Sequence, residues 1–177
     1  MGKHKDGLVV LSIFDGLSGG HLALDKAGLK VAAYYSSEID KYAIQIADKN
    51  YPQDTQYRLG SVIDLTDDQL RALGPIDLVC GGSPCQGFST QGKLKGSSTV
   101  EGVDVTTLEQ YLDLKERGFE FFGQSYLFWE YIRVLKVVKP KYFFLENVRI
   151  TKKWLPMFNE TMARFIFPKD TWELIEE

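Results

Sequence analysis

The sequence predicts an α/β fold built on a parallel sheet. Short apolar runs, typical of buried strands, alternate along the chain with amphipathic patterns typical of helices. Polar or glycine-rich clusters follow four of the five predicted strands. Ligands bind beyond the carboxyl ends of the strands in such sheets, so these clusters predict one site along one edge.

Five apolar runs define the predicted strands. The first is almost continuously apolar, as expected for a strand that is buried on both faces. The runs are residues 8–14, 31–35, 57–62, 76–80 and 141–145.

Helix signals fill the segments between these strands. Asp40 is placed to cap one helix, and Thr66 and Thr107 each precede a Gln by three residues, which is the spacing of a capping box. Pro156 must lie in the first turn of the last helix or kink it. The predicted helices are residues 22–27, 41–49, 66–73, 107–118, 126–138 and 151–165.

Composition excludes several classes of protein. Hydrophobic residues make up 44% and charged residues 25% of the 177 residues, a globular balance that argues against disorder. The net charge of −3 excludes a globally basic nucleic-acid binder but leaves room for a local basic face. No apolar run approaches the roughly 18 to 20 residues of a membrane helix, so no membrane partner is expected. Residues 1–7 do not resemble a signal peptide.

The two cysteines and two histidines narrow the chemistry further. Two cysteines cannot form a disulfide scaffold, and their small number predicts a reducing, cytoplasmic compartment. His4 and His21 lie far apart in the sequence, so no metal site is expected.

The glycine-rich loop of residues 15–20 follows the first strand and opens a helix. Glycines let backbone N–H groups approach a ligand closely, although an ordinary tight turn is the alternative. The spacing is not G-x-G-x-x-G, which argues against a nicotinamide dinucleotide. Glu38 ends the second strand about twenty residues later, where a carboxylate can accept both hydroxyls of a ribose. It could instead be a helix-start acid. Together the loop and Glu38 favour an adenosine-containing ligand.

Two further strand ends carry reactive side chains. Cys85 lies in a Gly-Gly-Ser-Pro turn, and a helical turn after it would lower the pKa of its thiol. The alternative is a buried structural cysteine, which is the prediction for Cys80 inside its strand. Glu146 ends the fifth strand, where its carboxyl group suits proton donation. Its alternative is to cap the next helix.

Five segments in this order resemble the DNA cytosine-5 methyltransferases of phage and bacteria. The P-C-Q-x-F-S and E-N-V elements carry most of the specificity, and the similarity extends over roughly residues 8–149. The segments are residues 14–20, 37–40, 60–62, 81–89 and 144–148.

The resemblance implies a Rossmann-like S-adenosylmethionine-dependent methyltransferase fold, with helices on both faces of a truncated sheet of about five strands. Residues 1–177 would form a single, incomplete catalytic domain, and residues 90–104 a mobile catalytic loop. Double-stranded DNA with a flipped cytosine would be the partner, in a bacterial or phage-infected cell.

The resemblance also assigns cofactor residues. S-adenosylmethionine, with S-adenosylhomocysteine as product, would be held by the first glycine-rich loop, the second and third strand ends and two more distant positions. The residues are Phe14, Asp15, Gly16, Leu17, Ser18, Gly19, Glu38, Ile39, Ser61, Val62, Pro84 and Leu127.

The catalytic residues implied by the resemblance are Cys85 and Glu146. Cys85 would attack C6 of the cytosine, and Glu146 would protonate or hydrogen-bond its N3. The residues that would bind the substrate are Pro84, Gln86, Ser89, Asn147 and Arg149.

The chain departs from the family in two ways. Ser61 stands where the family usually has Asp, and the sequence after Arg149 contains no Gln-x-Arg-x-Arg element or target-recognition domain. We therefore expect a complementing subunit, self-association or a truncated product. The alternatives in function are a catalytically inactive binding relative and a tRNA cytosine-5 methyltransferase.

Overall fold

The computed structural model describes residues 6–84, 97–147 and 150–166. The chain divides into two compact units. The first contains residues up to Ser83 together with Val137–Glu146, and the second contains Pro84–Lys136 and the residues from Asn147 onwards.

The first unit contains a five-stranded sheet. Each strand runs parallel to its neighbours. The order β3-β2-β1-β4-β5 confirms the predicted α/β class with a parallel sheet. The strands are β1 (Leu8–Ile13), β2 (Val31–Ser37), β3 (Arg58–Gly60), β4 (Leu78–Gly82) and β5 (Tyr142–Glu146).

Burial explains why β1 occupies the centre of this sheet. Val9, Val10, Leu11 and Ile13 are all at most 1% exposed, so the strand has no solvent-facing side. The crossovers from β1 through β2 and β3 to β4 carry three helices and a 3-10 turn. These are α1 (Gly19–Lys26), α2 (Lys41–Asn50), the 3-10 turn Pro52–Tyr57 and α3 (Asp67–Ala72).

The second unit is helical. Its helices are α4 (Leu108–Glu116), α5 (Leu127–Val138, whose last two residues belong to the first unit) and α6 (Leu155–Ile166). Phe128 of α5 is fully buried and stacks on Phe158 of α6 with ring centroids 4.8 Å apart. No helix in the described ranges is long and apolar enough to span a membrane.

Residues 97–104, the second half of the predicted mobile loop, form a turn closed by backbone hydrogen bonds. Thr99 N–H donates to Val103 O at 2.9 Å, and Val105 N–H donates to Ser97 O at 2.7 Å. The indole N–H of Trp129 donates to the hydroxyl of Ser97 at 3.0 Å. Residues 90–96 lie outside the described ranges, so mobility of the predicted loop stays a prediction.

The helix caps follow the sequence closely. Asp40 accepts hydrogen bonds from the N–H groups of Tyr42 and Ala43, and Thr66 forms a reciprocal capping box with Gln69. Pro156 is the second residue of α6 and therefore lies in its first turn, which was one of the two predicted alternatives.

Several element boundaries differ from the predictions by one to four residues, among them those of α1 and β4. Helix α1 begins three residues earlier than predicted, because Gly19 and Gly20 are part of it. A Cβ atom on Gly20 would lie 2.7 Å from the Tyr34 hydroxyl, so glycine here permits close packing of α1 on the sheet. Strand β4 begins at Leu78, two residues later than predicted.

Candidate active site

The carboxyl ends of the five strands meet at one edge of the first unit. The strand order reverses between β1 and β4, which makes this point the topological switch point of the sheet. Strands β2 and β5 lie on opposite sides of it, three strand spacings or about 14 Å apart. The predicted ribose and proton-donor positions, Glu38 and Glu146, therefore end strands on opposite sides of one crevice.

The loop after β1 has an unusual backbone. Phe14, Gly16 and Ser18 all have left-handed conformations, with φ values of 58°, 59° and 61°. Gly16 adopts such a conformation at little cost, but Phe14 and Ser18 do so at roughly 1 kcal/mol or more each. The surroundings must therefore hold this loop in place.

The carboxylate of Asp15 is the centre of those surroundings. Its side chain is fully buried and accepts hydrogen bonds from the hydroxyls of Ser18 and Tyr34, both at 2.7 Å. Burial, assisted by the nearby Asp15 carboxylate, raises the pKa of Tyr34 well above its usual range, so this phenol remains a donor. The side chains of Asp15 and Ser18 thus bond within the loop and fix its shape.

Glu38 holds the same loop from the other side. Its Oε2 accepts the N–H of Gly16 at 2.7 Å, and its Oε1 accepts the N–H groups of Ile39 and Asp40 at 2.7 and 2.9 Å. A carboxylate offers about four lone-pair directions, so one remains on Oε2. Ile39 beside it is 74% exposed and presents an apolar surface to solvent.

The two predicted cofactor residues after β3 are partly enclosed. Ser61 is half-buried, whereas Val62 is only 4% exposed. The Ser37 hydroxyl donates to Gly60 O at 2.7 Å and fixes the ends of β2 and β3 against each other.

Glu146 lies directly over the backbone of β4. It is exposed, and it pairs in register with Gly82. A Cβ atom on Gly82 would lie 2.6 Å from Glu146 Oε2, so only glycine leaves the carboxylate room in this position. Ser83 follows and buries a hydroxyl that has no hydrogen-bond partner in the described part of the chain.

The remaining predicted site residues belong to the second unit or lie outside the described ranges. Leu127 is a buried residue at the start of α5, and Pro84 and Asn147 also belong to the second unit. Four predicted residues lie outside the described ranges, and their roles stay predictions: Cys85, Gln86, Ser89 and Arg149.

Sequence reasoning missed Arg58. Its guanidinium extends from β3 to Asp48 and to Asp15, with N–O distances of 2.8 and 3.5 Å. An Arg at the start of a short strand was the available signal, but its partners lie 10 and 43 residues away. Within the described ranges, no group of three His, Cys, Asp or Glu side chains is arranged to hold a metal ion.

The fold and the strand-end site define the class of protein. The family model for the C-5 cytosine-specific DNA methylases matches residues 8–161, and the chain belongs to that family.

Individual relatives come from bacteria and phage. The type II methyltransferase M.HhaI of Haemophilus parahaemolyticus is 30% identical over 147 residues, which is 83% of this chain and 36% of that protein. The orphan methyltransferase M.Rho11sI of Bacillus phage rho11s is 33% identical, over 80% of this chain and 23% of that protein. The chain thus spans about a third or less of these relatives' length.

Solved structures support the fold. The S. pombe Dnmt2 methyltransferase superimposes with a TM-score of 0.59 at 20% identity, covering 89% of this chain and 40% of that one.

Proposed function

We propose that this chain carries the cofactor and cytosine sites of a DNA cytosine-5 methyltransferase. The observation that carries the proposal is the Glu38 carboxylate, fixed by three backbone N–H groups beside a left-handed glycine loop. In a chain of this family, that arrangement suits the adenosine end of S-adenosylmethionine.

The residues at β1 and β2 fit this cofactor. Cβ atoms on Gly16 and Gly19 would meet no protein atom within 4 Å, so a ligand can approach the backbone there. Glu38 can accept one ribose hydroxyl with its existing bonds intact, and accepting both requires one backbone N–H to release it. Ile39 offers its exposed side chain to the adenine. Bound S-adenosylmethionine supplies an electrophilic methyl group.

The chemistry at β4 and β5 involves the base. We assign Cys85 as the nucleophile whose sulfur bonds to C6 of cytosine while Glu146 gives a proton to N3, which leaves C5 electron-rich. C5 receives the methyl group, loss of the C5 proton to solvent then expels the Cys85 thiolate, and N3 returns its proton to the Glu146 carboxylate. Glu146 pairs in register with Gly82, which precedes Cys85 by three residues in the sequence.

Double-stranded DNA is the proposed substrate. The target cytosine must leave the stack to reach the end of β4. We assign its binding, as the sequence predicted, to Pro84, Gln86, Ser89, Asn147 and Arg149.

Calorimetric titration with S-adenosylmethionine tests the cofactor site. We expect binding by the wild-type chain, and a loss of about 1 to 3 kcal/mol in binding free energy for Glu38→Ala, because a charged acceptor is removed. Glu116→Ala, at an exposed acid in α4, is the control and should bind like wild type. No binding by the folded wild-type chain would overturn the proposal.

Covalent trapping on DNA containing 5-fluorocytosine tests the catalytic assignment. Fluorine at C5 cannot leave as a proton does, so the Cys85 adduct should accumulate in the wild type and be absent in Cys85→Ser. Cofactor affinity should stay unchanged in this variant, because the thiol acts on the base alone. Trapping on a tRNA substrate but not on DNA would favour the RNA alternative.

A further inference from the structure

Three left-handed residues in five positions make the loop after β1 unstable by itself. Phe14 and Ser18 flank Asp15 and Gly16, and Ser18 begins α1 without a side-chain cap. The Ser18 hydroxyl instead donates a hydrogen bond to Asp15 Oδ2. The loop conformation thus depends on the buried Asp15 carboxylate.

A buried carboxylate needs compensation for its lost hydration. Ser18 and Tyr34 supply two neutral donors, but neither supplies charge. Arg58 supplies the cation, with its Nη1 at 3.5 Å from Asp15 Oδ2 and its side chain only 15% exposed.

Arg58 itself is held rigidly by side chains of two other elements. Its Nε and Nη2 donate to Asp48 Oδ1 of α2 at 3.0 and 2.8 Å, and its Nη1 donates to the Ser36 hydroxyl of β2 at 2.7 Å. Asp48 is one-third exposed and can be solvated, whereas Asp15 cannot. The charge of Arg58 therefore matters most at Asp15.

We propose that Arg58 is a positioning residue for the cofactor loop: its guanidinium neutralises buried Asp15 and so holds residues 14–18 in the shape that binds the cofactor. Because Gly16 N–H also bonds to Glu38, a loop that shifts would disturb the proposed ribose acceptor as well. The affinity measurement that tests this inference rests on the proposed function, because its ligand is S-adenosylmethionine.

A double-substitution cycle separates this role from a general effect on folding. Arg58→Met should weaken S-adenosylmethionine binding by at least about tenfold, because the competent loop becomes a minor population. Adding Asp15→Asn should restore most of the affinity, since a neutral amide needs no cation. Arg71→Met is the matched control, because Arg71 pairs with Asp68 on the exposed face of α3. It should leave affinity unchanged.

Two results would overturn the proposal. One is a double variant that binds as weakly as Arg58→Met, and the other is an Arg58→Met variant that binds like wild type. Where Arg58→Met does not fold, Arg58→Gln replaces it in the same cycle, because glutamine removes the charge but keeps a polar side chain that can donate a hydrogen bond.

Hydrogen exchange in the ligand-free protein gives an answer independent of the proposed function. The N–H groups of Gly16 and Ser18 should exchange faster in Arg58→Met, while those of Val10 and Leu11 in β1 stay protected. Unchanged exchange in the loop would contradict the positioning role. If the wild-type chain binds no cofactor but Arg58→Met still shows faster exchange in the loop, the inference stands and the proposed function fails.

Discussion

The two strand-end glutamates are held in opposite ways. Glu38 is fixed by three backbone N–H groups, which suits the ribose-binding role proposed for it. Glu146 is exposed and has Gly82 beneath it, so its carboxylate has room to change rotamer. A residue that gives a proton to a base entering from solvent gains from this freedom.

Gly82→Ala should impair catalysis without unfolding the protein. The new Cβ would meet the flexible end of Glu146, so the carboxylate is displaced and the backbone is not. We expect the rate of covalent trapping to fall by at least about tenfold, since a positioned general acid contributes that much or more. Trapping kinetics and urea denaturation measure the two effects.

Gly81→Ala is the control for this prediction. Its Cβ would collide with the carbonyl oxygen of Ile13 in the neighbouring strand, which cannot move away, so this variant should lose stability. Equal losses of stability in the two variants would show that Glu146 does not occupy the space over Gly82.

Cys80 should be chemically silent in the folded protein. Burial raises the pKa of its thiol, the Asp15 carboxylate adds to this, and the thiolate is the reactive form. In Cys85→Ser, where Cys80 is the remaining cysteine, a thiol reagent should react only after denaturation. Labelling of Cys80 in the native variant should stay slow as pH rises through the usual range of thiol pKa values. Rapid labelling of the native variant would contradict this burial.

The residue scale also shows what sequence reasoning can reach. Glu38 was predictable because it follows a strand within a short, local pattern. The bonding of Asp15 was not, because its cation lies 43 residues further on and reaches it only through the pairing of β2 with β3. The family resemblance assigned Asp15 to the cofactor, and the structure adds that its carboxylate is bonded inside the protein.

At the scale of elements, local signals were reliable and packing decided the rest. The Thr66/Gln69 capping box was readable because both partners lie within one turn. The start of α1 was not, since two glycines disfavour a helix by propensity, and one of them, Gly20, leaves room for close packing against Tyr34. Helix α5 was predicted from its apolar pattern, but the charged network that joins it to α4 was not.

That network centres on Glu130, which is fully buried in α5. Its carboxylate accepts hydrogen bonds from Tyr111 and Lys115 of α4, at 2.5 and 2.6 Å, and from Arg133 at 2.7 Å. Burial and the Glu130 charge together raise the pKa of Tyr111 well above its usual range. One carboxylate thus connects two helices through a phenol and an ammonium group.

Glu130→Gln should lower the free energy of unfolding by about 3 to 5 kcal/mol, because it removes one member of a buried ionic cluster. Asp113→Asn in α4 is the control, since its pair with Arg117 is exposed on both sides. The control should cost no more than about 0.5 kcal/mol. Urea denaturation of both variants measures the difference, and similar values would show that the Glu130 cluster adds little to stability.

At the scale of the whole molecule, the sheet order explains the position of the site. Strands β1 and β4 are adjacent although about seventy residues separate them in sequence, and their junction is where a parallel sheet of this order opens a crevice. The alternation of strands and helices predicted the parallel sheet. The order of the strands in the sheet is known only from the structure, because the alternation of strands and helices does not specify which strands β4 pairs with.

The same order leaves β5 at one edge of the described sheet. Tyr142 and Phe144 lie on one face of β5 and are 65% and 63% exposed. Exposed aromatic side chains on an edge strand favour association, because both apolar area and strand edges become available to another molecule. Self-association was one of three alternatives that the sequence predicted, and this face is the surface through which it would occur.

We expect the chain to self-associate in sedimentation velocity experiments, with the average mass rising with concentration. The double variant Tyr142→Ser/Phe144→Ser should shift the population towards monomer, because it removes the apolar face while leaving the backbone of β5 intact. Leu22→Ser/Leu29→Ser is the matched control, since these side chains are 51% and 48% exposed in the same unit but away from β5. A folded wild-type monomer at every concentration would refute the prediction. An equal shift in the control would assign association to general surface hydrophobicity and not to the face of β5.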